Sequence, residues 1–168
     1  MTEERIFNRS SATLFFSIFM VGIGFSIIMP ILPYYAESMG ASAFQLGLLM
    51  TVYALCQFIF APFWGSYSDR VGRKPVLLVG MFGFTLTFYI FALANSLRVL
   101  FVARIAGGAL SCATVPTAMA VMGDTSSPEK RGASMGMVGA SMGMGMIFGP
   151  AIGSGLAHIS LAAPFVVA

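Results

Sequence analysis

This sequence predicts an all-α integral membrane fold, five helices that cross a bilayer and the beginning of a sixth. Three observations carry that prediction. Hydrophobic residues make up 58% of the 168-residue chain and charged residues only 9%, far below the roughly one quarter usual in soluble domains. A surface built from such a chain belongs in lipid. The apolar residues fall into runs of about 20 or more, the length that spans a hydrocarbon core. The basic residues gather in alternate connections between those runs, as membrane orientation requires.

The first run, 12–35, is too long for the core of a signal peptide and lacks a small-x-small cleavage site at its end, so it is expected to be retained as a span. Further runs occupy 44–65, 76–94, 99–122 and 133–157, and a sixth, 161–168, is expected to be incomplete. Each is expected to be helical, because an open strand would leave unpaired backbone groups in lipid. The connections are short: 37–43, 66–75, 95–96, 123–132 and 158–160. Arg5 and Arg9 precede the first span, Arg70, Arg73 and Lys74 lie in the second link, and Lys130 and Arg131 lie in the fourth. These seven of the nine basic residues share one side of an alternating topology, whereas Arg98 stands opposite. Positive charge stays inside, which predicts a multi-pass cell-membrane protein with a cytoplasmic amino terminus.

Other classes find no support. No basic patch is interleaved with aromatics, so nucleic acid is not an expected partner. Cys56 and Cys112 sit inside apolar runs and read as small buried hydrophobes. No nucleophile triad, zinc ligand set, phosphate loop or dinucleotide fingerprint is present, so no enzyme, metal or cofactor is expected. His158, alone near a span end, reads as solvated.

Several residues break the apolar pattern. Arg104 lies inside the fourth span, where an arginine at the helix centre costs at least ~2.5 kcal/mol and almost always faces protein or a wet cavity. Arg104, Gly107, Gly108, Ser111 and Ala118 recur at helical spacing as a small, partly polar face, leaving Leu110 toward lipid. The alternative is an arginine that snorkels to the near interface. Gln57 lies in the second span, one turn from Tyr53, on a helix with Gly47, Thr51, Ala54, Ala61 and Gly65 along one side. It reads equally as interhelical glue, worth ~0.6 kcal/mol, or as cavity lining. The fifth span carries two glycine series, Gly132, Gly136, Gly139 and Gly143, and then Gly145, Gly149 and Gly153. Both are expected to be close-packing faces, with a bend at Pro150. Its methionines, Met135, Met137, Met142, Met144 and Met146, are expected to make packing or lipid contacts. The second link is expected to be a tight turn bounded by Gly65 and Gly72, with Pro75 in the first turn of the next helix.

With these residues in place, the chain resembles the major facilitator superfamily. The pattern G-x-x-x-D-R-x-G-R-[KR] between the second and third helices is met by Gly65, Asp69, Arg70, Gly72, Arg73 and Lys74; Tyr67 replaces the common leucine. Gly22, Gly24, Pro30 and Pro33 are similar to the first-span pattern of drug:proton antiporters, and Arg104 with Gly108 to R-x-x-x-G. Gly145, Gly149, Pro150 and Gly153 are similar to the antiporter motif G-x-x-x-G-P-x-x-G-G, with Ser154 in place of its last glycine. The nearest group is that of multidrug and quinolone efflux pumps.

The resemblance implies the N-terminal six-helix half of that fold with its sixth helix truncated, a missing C-terminal half, and a twelve-helix whole that exports hydrophobic drugs by alternating access. It implies a proton gradient as energy source and a small hydrophobic or cationic substrate. Arg104 would line the cavity and couple protons to drug, and Tyr53 and Gln57 would touch the drug. Asp69 would face a helix of the second half, Arg73 would pair with Asp124, and the glycine-proline helix would seal the halves. Two alternatives stay open: transport of a metabolite such as a sugar or amino acid, and a non-transporting truncated fragment.

Overall fold

A backbone that enters lipid must satisfy its own N–H and C=O groups, and helices do so locally. The computed structural model describes residues 9–158 and 163–167. In order these form α1 (Arg9–Ser38), α2 (Ala43–Val71), α3 (Arg73–Ala92), α4 (Leu97–Leu110), a 3-10 turn (Ser111–Ala113), α5 (Thr114–Thr125), α6 (Arg131–Ala157) and α7 (Ala163–Val167). Among the described residues, five stretches are long and apolar enough to cross a membrane. The fourth of them, Leu97–Thr125, combines α4, the turn and α5. Arg5, the end of the fifth link at 159–160 and positions 161, 162 and 168 of the sixth segment lie outside the described residues.

The helices run longer than the apolar runs predict. At 1.5 Å per residue the 29 residues of α2 extend about 43 Å, beyond a hydrocarbon core of ~30 Å. Polar residues can therefore stay helical past the lipid. This corrects the turn expected over 66–75. Gly65 lies inside α2, which continues through Asp69 and Arg70 to Val71. The chain reverses at Gly72 alone, whose φ of 103° suits a residue without a Cβ. Its N–H donates to the Ser68 carbonyl at 3.1 Å, and α3 starts at the next residue. Pro75 occupies the first turn of α3, where its missing N–H leaves no intrahelical bond unmade. At the other end of α2, Ser42 and Gln45 form a reciprocal capping box, at 3.3 and 2.9 Å.

The fourth span was expected to be one helix over 99–122; it tightens at Ser111–Ala113 instead. Pro116 supplies the reason. It has no N–H for the Cys112 carbonyl, and its ring crowds the preceding turn. A short 3-10 stretch relieves that crowding.

Packing pairs α1 with α6, α2 with α4, and α3 with α4 and α5. Two apolar clusters fill opposite ends of the bundle. One gathers Ile31, Leu32, Phe88, Phe91, Leu100 and Phe165; the other gathers Leu14, Ile18, Ala118, Met122 and Val138. In the first cluster the buried Tyr35 hydroxyl reaches the carbonyl oxygens of Ala94 at 2.7 Å and Phe91 at 3.2 Å, closing the end of α3.

Small residues bring the backbones together. A Cβ on Gly22 would lie 2.5 Å from the Met142 carbonyl oxygen, and one on Gly145 would lie 2.7 Å from the Ile23 nitrogen. Leu110, expected toward lipid, instead lies against Gly83 of α3. The glycine expectation for the fifth span holds for one series only. Gly145, Gly149 and Gly153 are buried against α1, whereas a Cβ on Gly132, Gly136, Gly139 or Gly143 would meet no atom within 4 Å. On α2, Gly47 and Gly65 are likewise open.

Candidate functional site

Two glycines of α4 prepare the surroundings of Arg104. Gly107 lies against Thr87 of α3, and Gly108 lies against α2, where a Cβ would be 2.7 Å from the Tyr53 carbonyl oxygen and from the Cys56 Cβ. The three helices therefore close tightly one turn from Arg104. The arginine does not snorkel: it is 4% exposed. Its guanidinium carbon lies 5.0 Å from the ring centroid of Tyr53 and 5.7 Å from that of Phe91, within the range where a ring face attracts a cation. Nη2 reaches the Met50 sulfur at 3.4 Å, and Nε is buried without a hydrogen-bond partner.

Tyr53 and Gln57 lie on the same side of α2, both half-buried. Tyr53 also meets Phe25 of α1, with 6.3 Å between ring centroids. Gln57 sits where α2 crosses Gly108, its backbone nitrogen 3.5 Å from the position a Cβ would take. Farther along, Trp64 Nε1 donates to the Ala109 carbonyl at 2.6 Å, just before the 3-10 turn. That bond ties α2 to the irregular part of the fourth span. Arg104 and Tyr53 are thus brought together, and Gln57 is adjacent along the helix.

A second group of expected residues gathers at one end of the bundle. Arg73 Nη1 contacts Asp69 Oδ1 at 2.5 Å and donates to Ser68 Oγ at 2.7 Å, while Nε donates to Asp124 Oδ2 at 3.1 Å. One guanidinium so links the end of α2, the start of α3 and the end of α5. Asp69, expected to look toward a helix outside this half, is engaged by Arg73. Both acids are about 60% exposed, so water screens these pairs and each contributes about 1 kcal/mol or less. Arg70 and Lys74 are exposed. In the fourth link Arg131 Nε donates to the Gly123 carbonyl at 3.0 Å, capping α5.

The antiporter-type residues divide between two surfaces. Gly145, Gly149 and Gly153 seal α6 onto α1, while Pro150, next to Gly149, is exposed beside that seam. α6 runs on through Pro150 without interruption. Pro150 lines an open groove of about 620 Å³ with Pro30, Ile31, Tyr34, Ser154 and His158. Arg104 does not border this groove.

Sequence reasoning missed Met50, Phe91, Trp64 and Tyr35. Met50 and Trp64 had a signal in their helical spacing from Tyr53. Phe91 and Tyr35 had none, because their contacts come from other helices.

Comparison with known proteins agrees with this architecture. The profile of the Major Facilitator Superfamily matches residues 14–168. The Quinolone resistance protein NorA of Staphylococcus aureus (strain MRSA252) is 31% identical over 161 residues, covering 96% of this chain and 42% of that protein. The class E Tetracycline resistance protein of Escherichia coli is 40% identical over 164 residues, covering 96% and 40%. Two solved structures share the fold. The human organic anion transporter MFSD10 (TETRAN) has a TM-score of 0.80 at 24% identity, over 95% of this chain and 45% of that one. The peptide transporter POT (E310Q mutant), solved in complex with sulfate, has 0.79 at 20%, over 95% and 37%. The chain therefore spans about two fifths of the length of these curated relatives. With the profile matched across nearly all of its length and its helices superposing on known transporters, the chain belongs to the Major Facilitator Superfamily, a family of membrane transporters rather than enzymes.

Proposed function

We propose that this chain is the N-terminal half of a proton-driven exporter of hydrophobic small molecules that works by alternating access. The observation that carries the reading is Arg104, buried at 4% exposure in a membrane span. A charge kept at that depth is a functional feature by default. The resistance proteins among the relatives support export as the direction of transport. The proton gradient is the energy source in this reading, and the amino terminus lies in the cytoplasm, with the basic second and fourth links.

Each region then has a task. Arg104 couples proton movement to substrate movement. Tyr53 and Gln57 touch the substrate from α2. Gly65, Asp69, Arg70, Gly72, Arg73 and Lys74, with Asp124, form the switch at the cytoplasmic end. Its ion pairs hold three helix ends together, and their modest strength lets the end re-form in another arrangement. Of Gly145, Gly149, Pro150 and Gly153, the three glycines hold α6 to α1 and Pro150 borders their seam, so the two helices move as one element while the rest of the transporter rocks against them.

Drug accumulation tests the reading in cells that express the full coding frame containing this chain. Arg104→Ala is expected to raise accumulation to the level of cells lacking the protein, as is collapse of the proton gradient. Accumulation equal to that of the unsubstituted protein would remove Arg104 from the mechanism.

A further inference from the structure

The contacts of Arg104 are uneven. Its ring neighbours, Tyr53 and Phe91, cover the guanidinium from positions 5.0 and 5.7 Å away. A guanidinium, however, carries its five N–H donors in its plane. Nε and Nη2 form one edge of that plane. On that edge Nη2 has only the Met50 sulfur at 3.4 Å, and Nε has no partner. A thioether is a weak acceptor, so the edge is under-satisfied in a place that water does not reach. The charge is uncompensated as well. Among the described acids, Asp69 and Asp124 engage Arg73, Glu37 lies in the last turn of α1, and Glu129 lies in the fourth link. Among the described residues, no carboxylate pairs with Arg104.

We propose that the Nε–Nη2 edge of Arg104 binds an acceptor on the transported molecule, a carboxylate or a paired carbonyl, and that the Met50 thioether occupies that place in its absence. The inference rests on reading Arg104 as part of the transport site. A carboxylate presents two oxygens that fit such an edge through parallel hydrogen bonds, and charge makes those bonds stronger than neutral ones. Met50 can give way because its side chain is unbranched and flexible and only half-buried. Tyr53 and Phe91 then offer ring faces beside the bound group. The substrate class narrows accordingly. Molecules with an anionic or keto-acid edge on an apolar body are favoured, zwitterions included. A purely cationic body meets a like charge with nothing to offset it.

The experiment uses the full chain in nanodiscs of neutral lipid. Fluorescence anisotropy follows binding of a fluoroquinolone, whose keto-acid supplies the paired oxygens, and of its decarboxylated analogue. The keto-acid is expected to bind about tenfold more tightly or better, the scale of a hydrogen bond to a charged group. Arg104→Gln is expected to bring the ratio to about one, chiefly through loss of keto-acid affinity. Met50→Leu keeps the volume and removes the sulfur competitor, so it is expected to preserve the ratio and raise keto-acid affinity about twofold. A ratio of one in the unsubstituted chain overturns the proposal, as does a full ratio in Arg104→Gln. If Arg104→Gln does not fold, Met50→Leu decides alone, and loss of the ratio there makes the sulfur a needed contact and overturns the proposal. Proton-driven efflux of the same fluoroquinolone, measured in parallel in proteoliposomes that hold the product of the full coding frame, separates this inference from the export reading. Efflux with a binding ratio of one leaves export standing and removes the inference; a tenfold ratio without any efflux does the reverse.

Discussion

The two glycine faces of α6 look alike in sequence and differ in space. Gly145, Gly149 and Gly153 repeat every four residues and bury against α1. At Gly149 an added Cβ would run into the Ser26 hydroxyl and would lie 2.7 Å from the Ile23 carbonyl oxygen. Gly132, Gly136, Gly139 and Gly143 repeat every three or four residues on a different face of the same helix, with no atom within 4 Å of an added Cβ. The spacing of small residues therefore defines a smooth helix face but does not name its neighbour. What distinguishes the two faces is the partner. α1 brings Gly22 and Ser26 to the buried series, so small residues meet small residues and the backbones touch.

Substitutions along α6 sharpen that comparison. The largest effect is expected at the seam. Gly149→Ala or Gly145→Ala places a methyl against backbone atoms that cannot yield, and is expected to lower stability by about 2–3 kcal/mol, read as a loss of folded helical protein in detergent titration. Next comes Ser141→Ala. It removes the hydroxyl that donates to the Phe15 carbonyl across the same seam at 2.5 Å, and is expected to cost about 1 kcal/mol in the same titration. The smallest effect is expected on the open face. Gly139→Ala is expected to stay within about 0.5 kcal/mol of the parent and to lean toward stabilisation, because alanine favours the helix over glycine. Equal losses at Gly139 and Gly149 would break the comparison and place a close neighbour on the open face.

The same logic separates Arg73 from Arg104. Arg73 stood out through the family resemblance of the second link, which implied its pairing with Asp124; its contact with Asp69, four residues earlier, came only from the structure, because Asp69 was expected to face a helix of the second half. Arg104 was legible as an outlier, a cation among apolar residues, and the cost of placing it there argued for a protein environment. Its neighbours were not legible. Met50 and Tyr53 lie on α2 and Phe91 on α3, and nothing in the fourth span's own sequence selects them. Pro116 did carry a local signal for the 3-10 turn, yet the apolar run around it is continuous enough to hide the break.

The sequence by itself determined how many apolar segments there are, that they are helices, and which links carry positive charge. Those properties follow from local chemistry: the length of an apolar run against the thickness of lipid, and the need of each peptide group for a partner within its own helix. Only the tertiary structure decided where α2 ends, which glycine face is sealed, and what surrounds Arg104. Those depend on contacts between residues far apart in the chain, where the shape of one helix is completed by another.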